Sequence, residues 1–512
     1  MDRRSFEKLV TTALVGTGVR PLFGQERGPG PYVPLKLDSV DIEPKVNEPL
    51  IIGTRKQLFL DRFIVSRTEE ILFTLTPPEK HVQNPVLTGD VPSDGQVLVP
   101  AGARWDEQRK LFQLWYYSIH FETKKEEHYS AYAESADGLH WRRPKLGLFE
   151  FNGSSANNIV PAPLAMVVFD DHDADQNRRY KGIDCIKGPD VGIWFSGDGI
   201  HWTASAKNPV LAPTGDTHSL LGWDERARKY IGYFRPEGHP ESSVHGQRRQ
   251  VGISFSDDAE NWTPIVPVLC ADMHDPPGTE FYWLHATLYE GIYIGLLSVL
   301  HLDNDRLDLS QRDPAGQEQT VDAQLVCSRD GIHWNRMGNR AAWLSPGPYQ
   351  SWDDQVVWPS VPFLVRDEIR LYYGGTSLRH SLADQKETVG QRYQGRSRLG
   401  GIGLATLRRD GWVGVQSNAH QQGRLTTRAF ILEGSGLEVN ADASAGKILI
   451  ELSGADNVPL PGFSGEEAAS ISSNSVRHRV IWRRPFGEIL GKSVRIRFTM
   501  ENSKLYAFQV TA

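Results

Sequence analysis

Cysteine is nearly absent from this chain: Cys185, Cys270 and Cys327 are the three in 512 residues. So few, and so widely spaced, they build neither a disulfide framework nor a metal-ligand spacing. Each falls in or beside an expected strand, where a thiol serves as a small buried hydrophobe. A basic surplus is missing too. With 63 acidic against 56 basic residues and a formal net charge of −7, the chain lacks the positive footprint of a nucleic-acid binder. Nor does any apolar run reach the roughly 18 residues that a membrane-spanning helix needs. The acidic stretch Asp170-Asp171-His172-Asp173-Ala174-Asp175 lacks the glycine and distal glutamate of a helix-loop-helix calcium site, and it falls between strands, so it reads as a solvated turn. No metal site and no cofactor is expected.

What the chain does contain is a repeat. Ser135-Ala136-Asp137-Gly138-Leu139-His140-Trp141 returns as Ser196-Gly197-Asp198-Gly199-Ile200-His201-Trp202, as Ser256-Asp257-Asp258-Ala259-Glu260-Asn261-Trp262 and as Ser328-Arg329-Asp330-Gly331-Ile332-His333-Trp334, at spacings of 61, 60 and 72 residues. Self-similarity of this kind marks an array of one supersecondary unit. Aspartate bonds backbone amides within a tight turn, glycine accepts a positive φ, and tryptophan packs from the following strand. The motif is therefore read as a hairpin clip with no catalytic part.

The flanks repeat with it. In the third unit the strands expected are Ser219 to Trp223, Lys229 to Phe234, Gln250 to Phe255 and Pro267 to Leu269. The same order recurs from Val97, from Met166 and from Phe281. A fifth unit runs from Val356 and closes on the degenerate Arg409-Asp410-Gly411-Trp412. Period-two alternation of aromatic and β-branched residues between Pro, Gly, Asn and Asp clusters makes these strands. The fold class expected is all-β: a five-bladed β-propeller, in which radial repetition leaves short protected sheet edges, with a C-terminal antiparallel β-sandwich. The sandwich follows from short alternating strands after Arg424, such as Lys447 to Leu452 and Val494 to Thr499.

At the other end, Met1-Asp2-Arg3-Arg4-Ser5-Phe6-Glu7-Lys8 and the mildly apolar Leu9 to Val19 resemble a twin-arginine export signal. The alternative is an amphipathic first helix of a cytoplasmic protein. The expected organisation is a signal over 1–25, a Pro/Gly-rich linker over 26–48, a propeller over 49–420 and the sandwich over 421–512. The protein is expected to be exported, to the periplasm or beyond.

The blades, the start of a blade at Asn84-Pro85-Val86-Leu87, and the phrases Gln57-Leu58-Phe59-Leu60-Asp61, Val439-Asn440-Ala441-Asp442 and Leu505-Tyr506-Ala507-Phe508 resemble the five-bladed glycoside hydrolases of families thirty-two and forty-three. Within them the chain is most similar to a bacterial group with a C-terminal β-sandwich. The resemblance implies an active site on the propeller axis built from three carboxylates at the heads of inner strands. Such a site needs one carboxylic acid to protonate the leaving oxygen and a second carboxylate as base or nucleophile. The heads offer Asp94, Asn157-Asn158, Asp216, Glu280 and Asp353-Asp354. The families place an acid at the second blade, where this chain has asparagines. Either the triad is displaced by a blade or the site is built differently.

Asp94, Asp216 and Glu280 are the expected catalytic residues. Glu280 is the expected general acid, as the one glutamate at a head, with Phe281, Tyr282 and Trp283 to desolvate it. The resemblance makes Asp94 the base or nucleophile and Asp216 the modulator. Asp353, Asp354, Arg235, Tyr282, Trp352 and Trp358 are the expected substrate-binding residues, whereas Asp61, His218 and His285 read as structural. The implied function is hydrolysis of an extracellular oligo- or polysaccharide, with carbohydrate as the partner. One alternative is a catalytically silent sugar-binding propeller, consistent with the missing second-blade acid. A sialidase-like enzyme is the other, disfavoured because Arg235 alone is placed to meet a substrate carboxylate.

Overall fold

A computed structural model describes residues 48–120, 127–186, 190–212, 214–236, 249–302, 319–380, 399–417 and 421–512. The export-like segment, and the linker up to residue 47, lie outside the described residues. Among those described, the regular structure is strand with short 3-10 turns, and no helix is long and apolar enough to cross a membrane. The fold is an all-β propeller carrying a β-sandwich.

Each propeller sheet runs up and down from its inner strand outward. The first contains Val97–Asp106, Leu111–His120, Glu127–Ser135 and Ile159–Val160; the second Met166–Phe169, Tyr180–Cys185, Val191–Ser196 and Trp202–Ala204. The third holds Thr214–Asp224, Lys229–Pro236, Val251–Ser256 and Val266–Leu269. In the fourth, Thr279–Tyr289, Ile292–Leu302 and Gln319–Ser328 are completed by two short pieces, Asn335–Arg336 and Ala342–Leu344. Val356–Pro359, Glu368–Thr376 and Gly400–Arg408 form the fifth, joined to the fourth by a single parallel bridge between Val321 and Val356. Inner strands pack on their neighbours around the ring, and the fifth sheet returns onto Val97–Asp106.

The repeated box closes that ring. In each copy the serine hydroxyl and two following amides converge on the aspartate: Ser196 Oγ donates to Asp198 at 3.1 Å, and the Ile200 and His201 amides at 2.8 Å. The glycine sits at positive φ, +79° for Gly138, +78° for Gly199 and +74° for Gly331, which turns its carbonyl toward the preceding sheet. There the carbonyl of Gly138 accepts from the Tyr372 hydroxyl at 2.8 Å, that of Gly199 from Trp115 Nε1 at 2.6 Å, and that of Gly331 from the Tyr233 hydroxyl at 3.0 Å. Arg178 reaches the Asp258 carbonyl at 3.0 Å, and the Tyr289 hydroxyl donates to Asp410 at 2.6 Å. Every box therefore staples its sheet to the one before it.

Two expectations about the ends of the ring are corrected. Asp410-Gly411-Trp412 does turn the chain, but the strand after it, Val413–Ser417, enters the sandwich. The outer position of the fifth sheet is taken by Glu79–Lys80 from the other end of the chain, and Leu87 bridges Ile402 beside it. Asn84-Pro85-Val86-Leu87 thus completes the last sheet and does not begin the first. A strand from the opposite terminus covers an edge that would otherwise stand open.

The sandwich likewise draws on both ends of the chain. One sheet contains Val65–Glu69, Gly423–Thr427, Ser493–Glu501, Lys447–Gly454 and Ala469–Ile471; the other Ile71–Leu75, Val413–Ser417, Lys504–Thr511, Gly436–Asp442 and Asn474–Val480. Residues 65–75, expected with the propeller, pair here. Leu437, Val439, Ile450, Ile496, Phe498 and Phe508 are buried between the two sheets.

Candidate functional site

The up-and-down order brings three kinds of position to one end of the propeller: the heads of inner strands, the ends of second strands and the starts of third strands. The box turns, between third and fourth strands, lie at the opposite end. Of the expected acids, the structure draws Asp216 and Glu280 into one cluster and holds Asp94 and Asp353 in separate ones.

Asp216, in the inner strand of the third sheet, has a side chain that is 56% exposed, yet two arginines converge on its Oδ1: Arg235 at 2.5 Å and Arg249 at 3.2 Å. Gly215 makes this approach possible, because a Cβ there would stand 2.3 Å from Arg235 Cδ. Burial would raise the Asp216 carboxyl, but the Arg249 and Arg235 guanidiniums override it and hold the group below the ordinary carboxylate range. Glu280, at the head of the next inner strand, is 3% exposed, and its Oε2 lies 3.4 Å from Arg249 Nε. Beyond it, Arg249 lies 4.7 Å over the Tyr282 ring. The Tyr282 hydroxyl meets His380 Nε2 at 2.9 Å, and His380 Nδ1 meets Gln319 Oε1 at 2.8 Å. Trp358 is buried nearby with Val97, Val356 and Leu300, with Tyr282 against that group.

Asp94 is fully buried in the first sheet and spent on local partners. Its carboxylate accepts from the Tyr116 hydroxyl and from Arg143 Nε, both at 2.7 Å; burial raises its pKa, opposed by Arg143. Asp353 accepts from Lys80 Nζ at 2.6 Å and from the Tyr373 hydroxyl at 3.1 Å. Beside it Trp352 stacks on Tyr373. Asp354 accepts from the Gln350 amide at 2.7 Å. Asn157-Asn158, taken as the head of the second inner strand, instead precede the outer strand of the first sheet, where Asn158 donates to the Tyr116 hydroxyl at 2.7 Å.

Two residues at this end carry no local sequence signal, and of them Arg249 belongs to the cluster. Arg249 stands just before a third strand, and Asp184 ends a second strand. Neither stands at an inner-strand head, yet the same topology carries the starts of third strands and the ends of second strands, Arg235 among them, to that end. Asp184 is 6% exposed and accepts from the Tyr117 hydroxyl at 2.8 Å and the Cys185 amide at 2.6 Å. Burial nevertheless pushes its carboxyl up to about 6. Next to it, Cys185 Sγ lies 3.2 Å from His218 Nε2. Burial drives this thiol up to about 12 and the imidazole down to about 4, so both are neutral and form no nucleophilic thiolate pair. His285 is buried, its Nδ1 2.7 Å from the Pro359 carbonyl.

Among the described residues no three His, Cys, Asp or Glu side chains gather as metal ligands. The acidic run has a cation of its own: Lys181 Nζ, buried, reaches Asp170 at 2.6 Å and Asp173 at 3.0 Å, while Asp175 caps a 3-10 turn. Asp61 is likewise held, by Arg329 at 2.7 and 2.9 Å.

No family model matches the chain, and no curated protein does. Solved structures with a similar fold include a glycosyl hydrolase from Bacteroides ovatus, 14% identical over 64% of this chain and 93% of that one, TM-score 0.41. An N-acetylgalactosamine deacetylase from F. plautii, in complex with blood group B trisaccharide, is 16% identical over 66% and 95%, TM-score 0.39. A family 32 β-fructofuranosidase from Bombyx mori, in complex with sucrose, is 10% identical over 84% and 93%, TM-score 0.38. Likeness this distant assigns no role to any residue here.

Proposed function

We propose that the protein is a glycoside hydrolase whose chemistry lies at the strand-head end, with Asp216 and Glu280 as its working carboxylates. The observation that supports this is their convergence on Arg249 from neighbouring inner strands. Two carboxyl groups of unlike environment are what acid-assisted glycoside cleavage requires. Asp216, exposed and held ionised, is the base or nucleophile. The proton comes from Glu280 across Arg249, with Asp184 as the rival donor from the second sheet. Tyr282, its ring under the Arg249 guanidinium, lines the same cluster. On the strength of Arg3-Arg4, the substrate is an oligo- or polysaccharide outside the cytoplasm.

The test is a panel of aryl glycosides assayed against Asp216→Asn, Glu280→Gln and Asp184→Asn, with sugar binding measured in parallel. Asp216→Asn is expected to lower turnover by about two to four orders of magnitude. Of the other two, the variant of the true donor loses rate on poor leaving groups and keeps it on good ones. Asp94, locked in its pair with Arg143, supports a second reading, a sugar-binding propeller without turnover; binding by the wild type with no hydrolysis of any substrate would select it.

A further inference from the structure

Arg249 makes three contacts at once. Its Nη1 is 3.2 Å from Asp216, its Nε is 3.4 Å from Glu280, and its guanidinium lies 4.7 Å over Tyr282. The Tyr282 ring is itself anchored through His380 to Gln319, so the surface under Arg249 is set by the fourth and fifth sheets while the arginine belongs to the third. The groups facing Asp216 are Arg235 from the second strand of its sheet, Arg249 from the third, and His218 two residues along its own strand. Cys185 adds to these from the second sheet, and Glu280 stands beyond Arg249.

Two neighbouring carboxylates without a cation between them compete for a proton. With the guanidinium of Arg249 between them, Asp216 stays charged and the separation of the two groups is fixed. We propose that Arg249 is a positioning residue that couples Asp216 to Glu280 and maintains Asp216 as the carboxylate of the site. Arg235 meets Asp216 alone, so it cannot supply the coupling. A lysine at 249 would keep the charge, but a single ammonium does not offer the two separated donor positions of a planar guanidinium.

The kinetic part of the test rests on the hydrolase reading; the titration does not. In the full chain with 13C-labelled aspartate carboxyls, the Asp216 signal, assigned by its loss in Asp216→Asn, is followed against pH in the wild type, Arg249→Gln and Arg249→Lys. The midpoint is expected to rise by about one pH unit in Arg249→Gln and by less in Arg249→Lys. The acidic limb of kcat/KM should move the same way, with kcat at neutral pH changed less. An unmoved Asp216 midpoint in Arg249→Gln of native stability overturns the proposal. Should that variant fail to fold, Arg249→Lys decides, and an unmoved midpoint there overturns it equally. A shifted midpoint in a protein that hydrolyses no glycoside would remove the hydrolase reading and leave the coupling standing.

Discussion

The two ends of the propeller use carboxylates in opposite ways. At the box end Asp137, Asp198, Asp258 and Asp330 each accept from amides two and three residues along their own turn. At the strand-head end Asp184 is bonded to a tyrosine of the first sheet, and Glu280 is paired with an arginine of the third. A carboxylate satisfied by its own loop is a fastener, and the loop stays put whatever happens elsewhere. One satisfied by another sheet is exposed to anything that moves that sheet or displaces that partner. The second kind is where a ligand can change a charge.

Several substitutions would break or sharpen this comparison. The largest effect on stability is expected at Lys181, whose ammonium is buried against Asp170 and Asp173 near the box end. Lys181→Met would leave Asp170 an uncompensated buried carboxylate and should destabilise by about 3–5 kcal/mol, read by urea unfolding. If the loss were within experimental error, the acidic run would be a solvated turn after all, as the sequence suggested.

Next come the staples. At Gly199, φ is +78° and a Cβ would stand 2.5 Å from Trp115, so Gly199→Ala combines left-handed strain with a clash and should lower stability by about 2–4 kcal/mol. Gly147 has φ +74° with open space around it, and Gly147→Ala should lose about 1 kcal/mol. Equal losses would mean that the contact between sheets contributes nothing beyond the turn.

The smallest effects, and the ones that set the ends apart by sign, appear in pH dependence. The amides of Asn261 and Glu260 overcome burial and hold Asp258 down at about 2. Its folded pKa lies below the unfolded value near 4, so its contribution is present above about pH 4 and is lost as pH falls toward 2. Asp184, raised by burial to about 6, behaves in reverse. The native state holds its proton longer than the unfolded chain, so stability falls as pH rises from about 4 to 6. Unfolding curves across pH 2–7 should show Asp184→Asn flattening the upper window and Asp258→Asn the lower. Identical profiles for both variants would erase the distinction between the ends.

Much of this protein was legible in its residues. The strand from Met166 to Phe169 and the box turn on Asp198-Gly199 follow from alternation and turn chemistry, which act over two to four residues and therefore show in any window of sequence. The strands of the sandwich after Arg424 follow for the same reason. Asp94 and Asp216 looked alike in sequence, each an acid ahead of a strand. What separates them is Tyr116 and Arg143 in one case and Arg235 and Arg249 in the other. The pairing of Glu79–Lys80 with Gly400–Arg408 and the meeting of Arg249 with Glu280 were likewise invisible in any local pattern. Hydrogen bonds inside a turn are written by adjacent residues, so the sequence by itself determined the strands, the repeat and the box. Charge is settled by whatever lies within a few ångströms in space, so the tertiary structure alone decided which carboxylates meet, which are neutralised, and which strand closes the ring.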